Sequence, residues 1–262
     1  KTTEYYTEDV TSDIANSESW QIITNFDSME VELLTVSGNE INVIHSYNQE
    51  REFTITLDEE TNTVTIANKV DNKFISSFKD FLALIGVRDT ITIEIPESLN
   101  ISDVDINSKN GYVIVKDVNP RSLSISTFNG AVTVRDVIVN NDLDISTLNG
   151  RILIENVQGA DFELDASTSN GAITIKSSSF KVYNLDTSNG QINLTDLNVL
   201  NKDGVTLDAD TSNGNINLEN VYVLNVNLDT SNGNIDYNND ETFILNSYTK
   251  DTSNGNITGN VN

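Results

Sequence analysis

The chain has 262 residues, with 40 Asp and Glu against 15 Lys and Arg and a formal net charge of -25 at pH 7, a field that repels phosphate backbones and anionic lipid and argues against nucleic-acid binding. Cysteine is absent and His45 is the only histidine, which excludes disulfides, thiolate metal sites, a Cys nucleophile and clusters of His ligands. The length suits one elongated all-β domain with a substantial core.

In chain order, residues 1–100 read as strands without a fixed period. Met29–Val36, Glu40–Tyr47, Arg51–Leu57, Thr63–Asn68 and Thr90–Ile95 carry strand composition, with Ser37-Gly38-Asn39 as a turn. They are expected to form irregular first coils, or a small sheet, continuous with the rest of the chain. His45 is expected on the surface of its strand. Between the last two strands, Phe74 to Gly86 has apolar residues at helical spacing and predicts one short helix or an apolar loop over 74–86. Its expected role is a plug over the end or flank of the fold; the alternative is a patch for a partner, a second copy or a membrane. No apolar run is long enough to span a bilayer. The start at Lys1 rather than Met predicts that upstream residues have been removed, which leaves room for a membrane anchor there.

Residues 101–262 are periodic. Asn-Gly occurs at Asn110, Asn129, Asn149, Asn170, Asn189, Asn213, Asn232 and Asn254, at spacings of 19 to 24 residues, and a repeat of that size marks a solenoid or an array. Three residues before each Gly stand Ser108 and then seven threonines, from Thr127 to Thr252. Two residues after it the column runs Val113, Val132, Ile152, Ile173, Ile192, Ile216, Ile235, Ile257. Leu123, Leu143, Leu164 and Leu207 sit seven before, and Ile106, Ile125, Ile145, Leu185 and Leu228 five before. Polar residues alternate with these, so each repeat carries two half-buried strands flanking a turn.

Asn tolerates a left-handed backbone and Gly keeps that freedom, so the Asn-Gly pair is expected to bend the chain in that conformation. Two folds can use the bend. A meander of hairpins fits the apolar pattern but gives equivalent positions no reason to match. In a solenoid each residue stacks on its equivalent about 4.8 Å away, so near-identical columns follow. The solenoid is therefore the expected fold. A single coil buries five or six inward side chains at about 1.5 to 3 kcal/mol each, too little to offset its ordering entropy, so coils must stack. The last coil, with Lys250 and Gly259 at inward positions, reads as a stop against end-to-end association.

The motif Asp186-Thr187-Ser188-Asn189-Gly190-Gln191-Ile192, its copies at Asp210, Asp229 and Asp251, and the upstream Ile91-Thr92-Ile93-Glu94-Ile95-Pro96 resemble bacterial exported proteins known as “putative adhesins”, a family of unknown function with Thr-Ser-Asn-Gly-x-Ile β-strand repeats. The resemblance runs from about Phe26 onward. It implies a single-stranded, right-handed β-helix displayed outside the cell, often behind a membrane helix, and it brings no catalytic or binding residues.

The column Asp186, Asp210, Asp229 and Asp251 places carboxylates about 5 Å apart, where Ca²⁺ would relieve their repulsion. The Gly- and Asp-rich nonapeptide of Ca²⁺-binding β-rolls is absent. Each Asp is instead expected to cap its own turn by accepting backbone N–H groups. The column Lys116, Arg135, Glu155, Lys176, Thr195, Glu219 reads as solvated surface with weak ion pairs. Tyr112, Phe128 and Leu148 point outward, and Phe128 and Leu148 share a column with Lys109 as a small apolar strip. No catalytic, cofactor or metal residue is assigned, and a repeated turn residue is a poor candidate for a unique acid or base. The expected function is a non-enzymatic surface or secreted module, an adhesin, binding unit or spacer, meeting a protein or glycan at the cell surface. The alternatives are an extracytoplasmic sensing or regulatory module of an envelope-stress system and a Ca²⁺-dependent carbohydrate-binding or cleaving β-helix. Oligomeric state is left open.

Overall fold

The computed structural model describes residues 2–11, 19–26, 29–47, 53–68, 89–240 and 242–260. The apolar segment 74–86 and the proposed strand start at Arg51 lie outside them. The strands before the repeats are β1 (Thr2–Asp9), β2 (Ser19–Phe26), β3 (Met29–Val36), β4 (Glu40–Tyr47), β5 (Phe53–Asp58), β6 (Thr63–Asn68) and β7 (Asp89–Pro96). The repeats give β8 (Asn100–Ser108), β9 (Val113–Lys116), β10 (Ser122–Thr127), β11 (Val132–Ile138), β12 (Leu143–Thr147), β13 (Ile152–Thr168), β14 (Ile173–Lys176), β15 (Ser179–Thr187) and β16 (Ile192–Leu197). They continue through β17 (Gly204–Thr211), β18 (Ile216–Val221), β19 (Val223–Thr230), β20 (Ile235–Asn238), β21 (Ser247–Thr252) and β22 (Ile257–Asn260).

Pairing between repeats is parallel and in register: Ile125 lies beside Ile106 and Ile145, Thr127 beside Ser108 and Thr147, and Val132 beside Val113 and Ile152. The chain is thus a β-solenoid. One stack of strands runs β8, β10, β12, the end of β13, β15, β17, β19, β21; the other runs β9, β11, the start of β13, β14, β16, β18, β20, β22. The long β13 belongs to both because it continues around a corner. Inward columns from the two stacks form one continuous core. Within it Leu185 lies between Ala166 and Ala209, and Tyr183 between Leu164 and Leu207, so large and small side chains alternate where the bulky tyrosine enters.

The Asn-Gly corner works differently from the expectation. Among the described residues only Gly38 and Gly259 are glycines with positive φ, so the corner glycines do not use left-handed freedom. They are needed because the corners nest. A Cβ on Gly190 would overlap the carbonyl oxygen of Gly171, and the same holds from Gly130, over Gly111, to Gly255, over Gly233. The left-handed residues stand instead six positions after the glycine, at a second corner: Asp117, Asp136, Asn156, Ser177, Asp196 and Asn220, with φ from 49° to 56°. Asn and Asp are the non-glycine residues that tolerate this conformation most readily. After that corner a short third side buries Val118, Val137, Val157, Leu197 and Val221.

The 24-residue spacing between Asn189 and Asn213 has a local cause. The coil bulges at residues 198–203 around Asn198, itself left-handed at φ 53° and fully buried. Tyr183 donates to Asn198 Oδ1 at 2.6 Å, and Asn198 Nδ2 donates to the Phe180 carbonyl at 2.9 Å. This supplies polar partners inside the core, where a bare amide would be costly.

The first hundred residues join the solenoid out of sequence order. The β2–β3 coil lies between the β6–β7 coil and the β8–β9 coil, paired in parallel to both. Antiparallel strands finish that end: β4 pairs with β7, β1 with β4, and β5 with β6. His45 is not on the surface. With β1 on one side of β4 and β7 on the other, its inward face carries Ile41, Val43 and His45, and the histidine is fully buried. At the opposite end, the side chains of β22 are all exposed and those of β21 mostly so. Tyr248 packs edge-on against Tyr237, and the Lys250 ammonium lies 4.6 Å over its ring, so the last coil shields the core with an aromatic and a cation.

Candidate functional site

The two outer faces of the solenoid differ in charge. On the β8-to-β21 stack the outward columns eight, six and four residues before each glycine hold eleven Asp and Glu and no Lys or Arg. Amides lie among these carboxylates: Asn227 donates to Asp208 at 2.9 Å, and Asn184 donates to Asp165 at 2.9 Å and to Glu163. Partial burial and like charge raise the pKa of two of them, Asp144 beside Asp165 and Asp142, and Asp210 beside Asp208, Asp229 and Asp186.

The column Asp186, Asp210, Asp229, Asp251 is stacked in register. It does not cap its turns. The side chains stand on the outer face, and the corner N–H groups are taken by the threonine hydroxyls, such as Gly190 N–H by Thr187 Oγ1 at 3.1 Å. Among the described residues no three His, Cys, Asp or Glu side chains are grouped closely enough to hold a metal ion.

The opposite face carries a groove of about 580 Å³ across β7, β3, β9, β11 and the start of β13. Two rows of outward side chains build its floor because the strands are in register. One row runs Thr92, Glu32, Ile114, Thr133. The other comprises Thr90, Glu30, Tyr112, Ala131 and Arg151, and Asn129 and Asn149 at the Asn-Gly corners close one edge. Tyr112 and Ile114 are 44% and 37% exposed, so an aromatic ring and an aliphatic side chain face solvent among hydroxyls, amides and carboxylates. Lys116 pairs with Glu32 at 2.7 Å and Arg135 with Glu155 at 3.1 Å along the other edge. Both pairs are half-exposed and worth less than about 1 kcal/mol each, as expected of that column.

The asparagines at the corner form an unbroken ladder. Each Nδ2 from Asn129 to Asn254 donates to the Oδ1 of the preceding corner at 2.6 to 2.8 Å. An amide has two N–H donors and two acceptor lone pairs, so a ladder bond on each side leaves Asn129 and Asn149 one donor and one lone pair for a ligand, on side chains already fixed in place.

Of the outward residues singled out from sequence, only Tyr112 enters the groove. Phe128 and Leu148, 55% and 36% exposed, sit together in the corner column as expected but do not line it. Glu30, Glu32, Ile114 and Arg151 escaped the sequence reading. Ile114 and Arg151 hold outward positions of the repeat, but the two glutamates come from β3, whose place beside β9 no repeat signal indicates.

The backbone of every strand under this floor is already paired on both sides or continued by a neighbouring coil, so the groove offers side chains, not a sheet edge. The groove is lateral, mixed polar and aromatic, and sits on a repeat scaffold whose strands fix its side chains in rows. Residues 20–258 match the Toastrack DUF4097 family model, and the chain belongs to that family. No curated protein matches it significantly. Similar solved structures include a “putative adhesin” from Parabacteroides distasonis at 15% identity and TM-score 0.58, covering 98% of this chain and 97% of that one. Another from Parabacteroides merdae has 13% identity and TM-score 0.54, covering 98% and 95%. One from Bacteroides fragilis has 12% identity and TM-score 0.52, covering 99% and 97%. These likenesses establish a shared fold.

Proposed function

We propose that this chain is a non-enzymatic binding module displayed outside the cell, and that it takes an uncharged oligosaccharide in the groove across β7, β3, β9, β11 and β13. The observation that carries the reading is the combination of the exposed Tyr112 ring with the pre-ordered amides of Asn129 and Asn149 on one floor. A sugar ring presents C–H groups on one face and hydroxyls around its rim. The first suit an aromatic face and the second suit fixed donors and acceptors. Five strands at about 4.8 Å give the floor a span of roughly 20 Å, enough for a short chain of sugars.

Charge narrows the class. Glu30 and Glu32 on the floor stand against Arg151 there and Lys116 on its edge, so the groove itself is near neutral, and the net charge of -25 over the whole chain disfavours anionic polymers. A peptide adding itself as a strand has no backbone to pair with at this floor. Display outside the cell agrees with the names of the similar structures, “putative adhesin”. Among the described residues no helix is long and apolar enough to cross a membrane.

The test is a glycan array probed with the whole chain and with Tyr112→Ala and Arg151→Ala. The reading predicts binding to one group of neutral glycans and a loss of at least about tenfold in affinity on removing the tyrosine, the order of one well-buried contact. Binding confined to anionic glycans, or unaffected by Tyr112→Ala, overturns it.

A further inference from the structure

Each Asn-Gly pair is a place where a peptide chain can modify itself. The glycine amide nitrogen attacks Cγ of the asparagine side chain; the new N–Cγ bond forms, the Cγ–Nδ2 bond breaks and ammonia leaves. Water then opens the five-membered succinimide to aspartate or isoaspartate. Glycine is the neighbour that least obstructs the attack, having no side chain. A hydrogen bond on the glycine N–H slows the attack, and so does one that keeps the asparagine side chain from turning back on its own main chain.

Seven of the eight corners hold both groups. The N–H of Gly130, Gly150, Gly171, Gly190, Gly214, Gly233 and Gly255 donates to the threonine hydroxyl three residues earlier at 3.0 to 3.2 Å. The asparagine before each of these glycines donates its Nδ2 into the ladder. From Thr147 onward the same hydroxyls also donate to the carbonyl of the glycine one coil back, Gly130 being the first so held.

The corner at Gly111 is built differently. The residue three before it is Ser108, whose buried Oγ makes no hydrogen bond. The second Cβ substituent of threonine restricts its rotamers more than the single one of serine does, and at Ser108 the hydroxyl misses the glycine. The Asn110 side chain is held, its Oδ1 accepting from Asn129 Nδ2 at 2.7 Å, so the difference lies at the glycine: Gly111 lacks the clamp on its N–H, and Thr127, which takes the Gly130 N–H, makes no bond to the Gly111 carbonyl. We propose that Asn110-Gly111 is a site of spontaneous succinimide formation in the folded protein, and that the fold protects the other seven pairs. The product matters to the groove: isoaspartate at 110 lengthens the main chain by a methylene two residues before Tyr112.

The test incubates the whole chain, folded, at mildly alkaline pH and, in parallel, in concentrated denaturant, and maps aspartate and isoaspartate by peptide mass spectrometry. In denaturant all eight pairs convert at similar rates. In the folded chain Asn110 converts first, and the other seven lag it by at least about fivefold, the factor one net hydrogen bond supplies. Ser108→Thr slows Asn110 toward the other seven, and Thr187→Ala, checked for an intact fold by circular dichroism, raises Asn189 toward Asn110. Uniform rates in the folded chain, a different pair converting first, or no effect of Ser108→Thr in a folded variant each overturn the proposal. The readout is chemical and independent of glycan binding, so it stands or falls apart from the proposed function.

Discussion

Thr187 Oγ1 donates to the carbonyl of Gly171, one coil back, at 3.0 Å while accepting the N–H of Gly190 in its own corner at 3.1 Å. One hydroxyl thus closes a turn and ties two coils together, at a site 1% exposed. Thr187→Val keeps the bulk but leaves a buried donor and a buried acceptor without partners, so it is expected to cost about 2 kcal/mol or more, against about 1 for Thr187→Ser, which keeps the hydroxyl. Urea unfolding followed by circular dichroism measures the difference.

Nested corners make glycine substitutions unequal. Gly190→Ala forces a Cβ into the backbone of Gly171, which neither main chain can yield without parting the coils, and a loss of about 3 kcal/mol or more is expected. Gly38 has open space around its missing Cβ and φ of +133°. Gly38→Ala therefore costs only conformational strain, about 1 to 3 kcal/mol. Thermal melts of the two variants should rank Gly190→Ala as clearly the less stable.

The carboxylate face makes its own pH signature. Burial first, then Asp208, Asp229 and Asp186, raise the pKa of Asp210 above its usual 3.8. A carboxyl raised in the folded state binds its proton more tightly there than in the unfolded chain. Its penalty is thus absent below the unfolded value and grows as pH rises through the raised one. Asp210→Asn is expected to stabilise the protein at neutral pH, with the gain vanishing as pH falls below the carboxylate range and shrinking in high salt. Chemical denaturation of both proteins between acid and neutral pH checks this; a gain independent of pH would contradict it.

The bulged coil depends on one buried amide. Asn198→Ala removes the acceptor of Tyr183 Oη and the donor to the Phe180 carbonyl, and it puts an ordinary residue at φ 53°. A loss of about 2 to 4 kcal/mol is expected, read from denaturant midpoints.

The repeat made much of this fold legible. The Thr, Ile and Asn columns match because like residues are neighbours across parallel strands, and only a stacked coil demands that. The reason for the glycines was not legible, because an Asn-Gly pair suits a left-handed turn and a close approach equally well in sequence. What decides is the carbonyl of Gly171 beneath Gly190, a contact between residues one coil apart. The left-handed corner was masked by its variety, since Asp136, Asn156 and Ser177 share a conformation but not a residue type. The threading of β2 and β3 between later strands carries no local signal at all, and with it went the two glutamates of the groove; the burial of His45 went with the equally unsignalled antiparallel pairing of β4 to β1 and β7. Tyr112 was visible as an outward aromatic, but its partners Glu30 and Glu32 are some eighty residues away in sequence.

Amide chemical-shift mapping tests ligand binding in the groove most directly. On titrating the neutral oligosaccharide that binds best, the shifts should concentrate on Thr92, Glu32, Tyr112, Ile114, Thr133 and Arg151, with the Asn129 and Asn149 side-chain amides moving in step. Shifts concentrated on the carboxylate face around Asp186, Asp210 and Asp229, or at Phe128 and Leu148 with the groove silent, would contradict it.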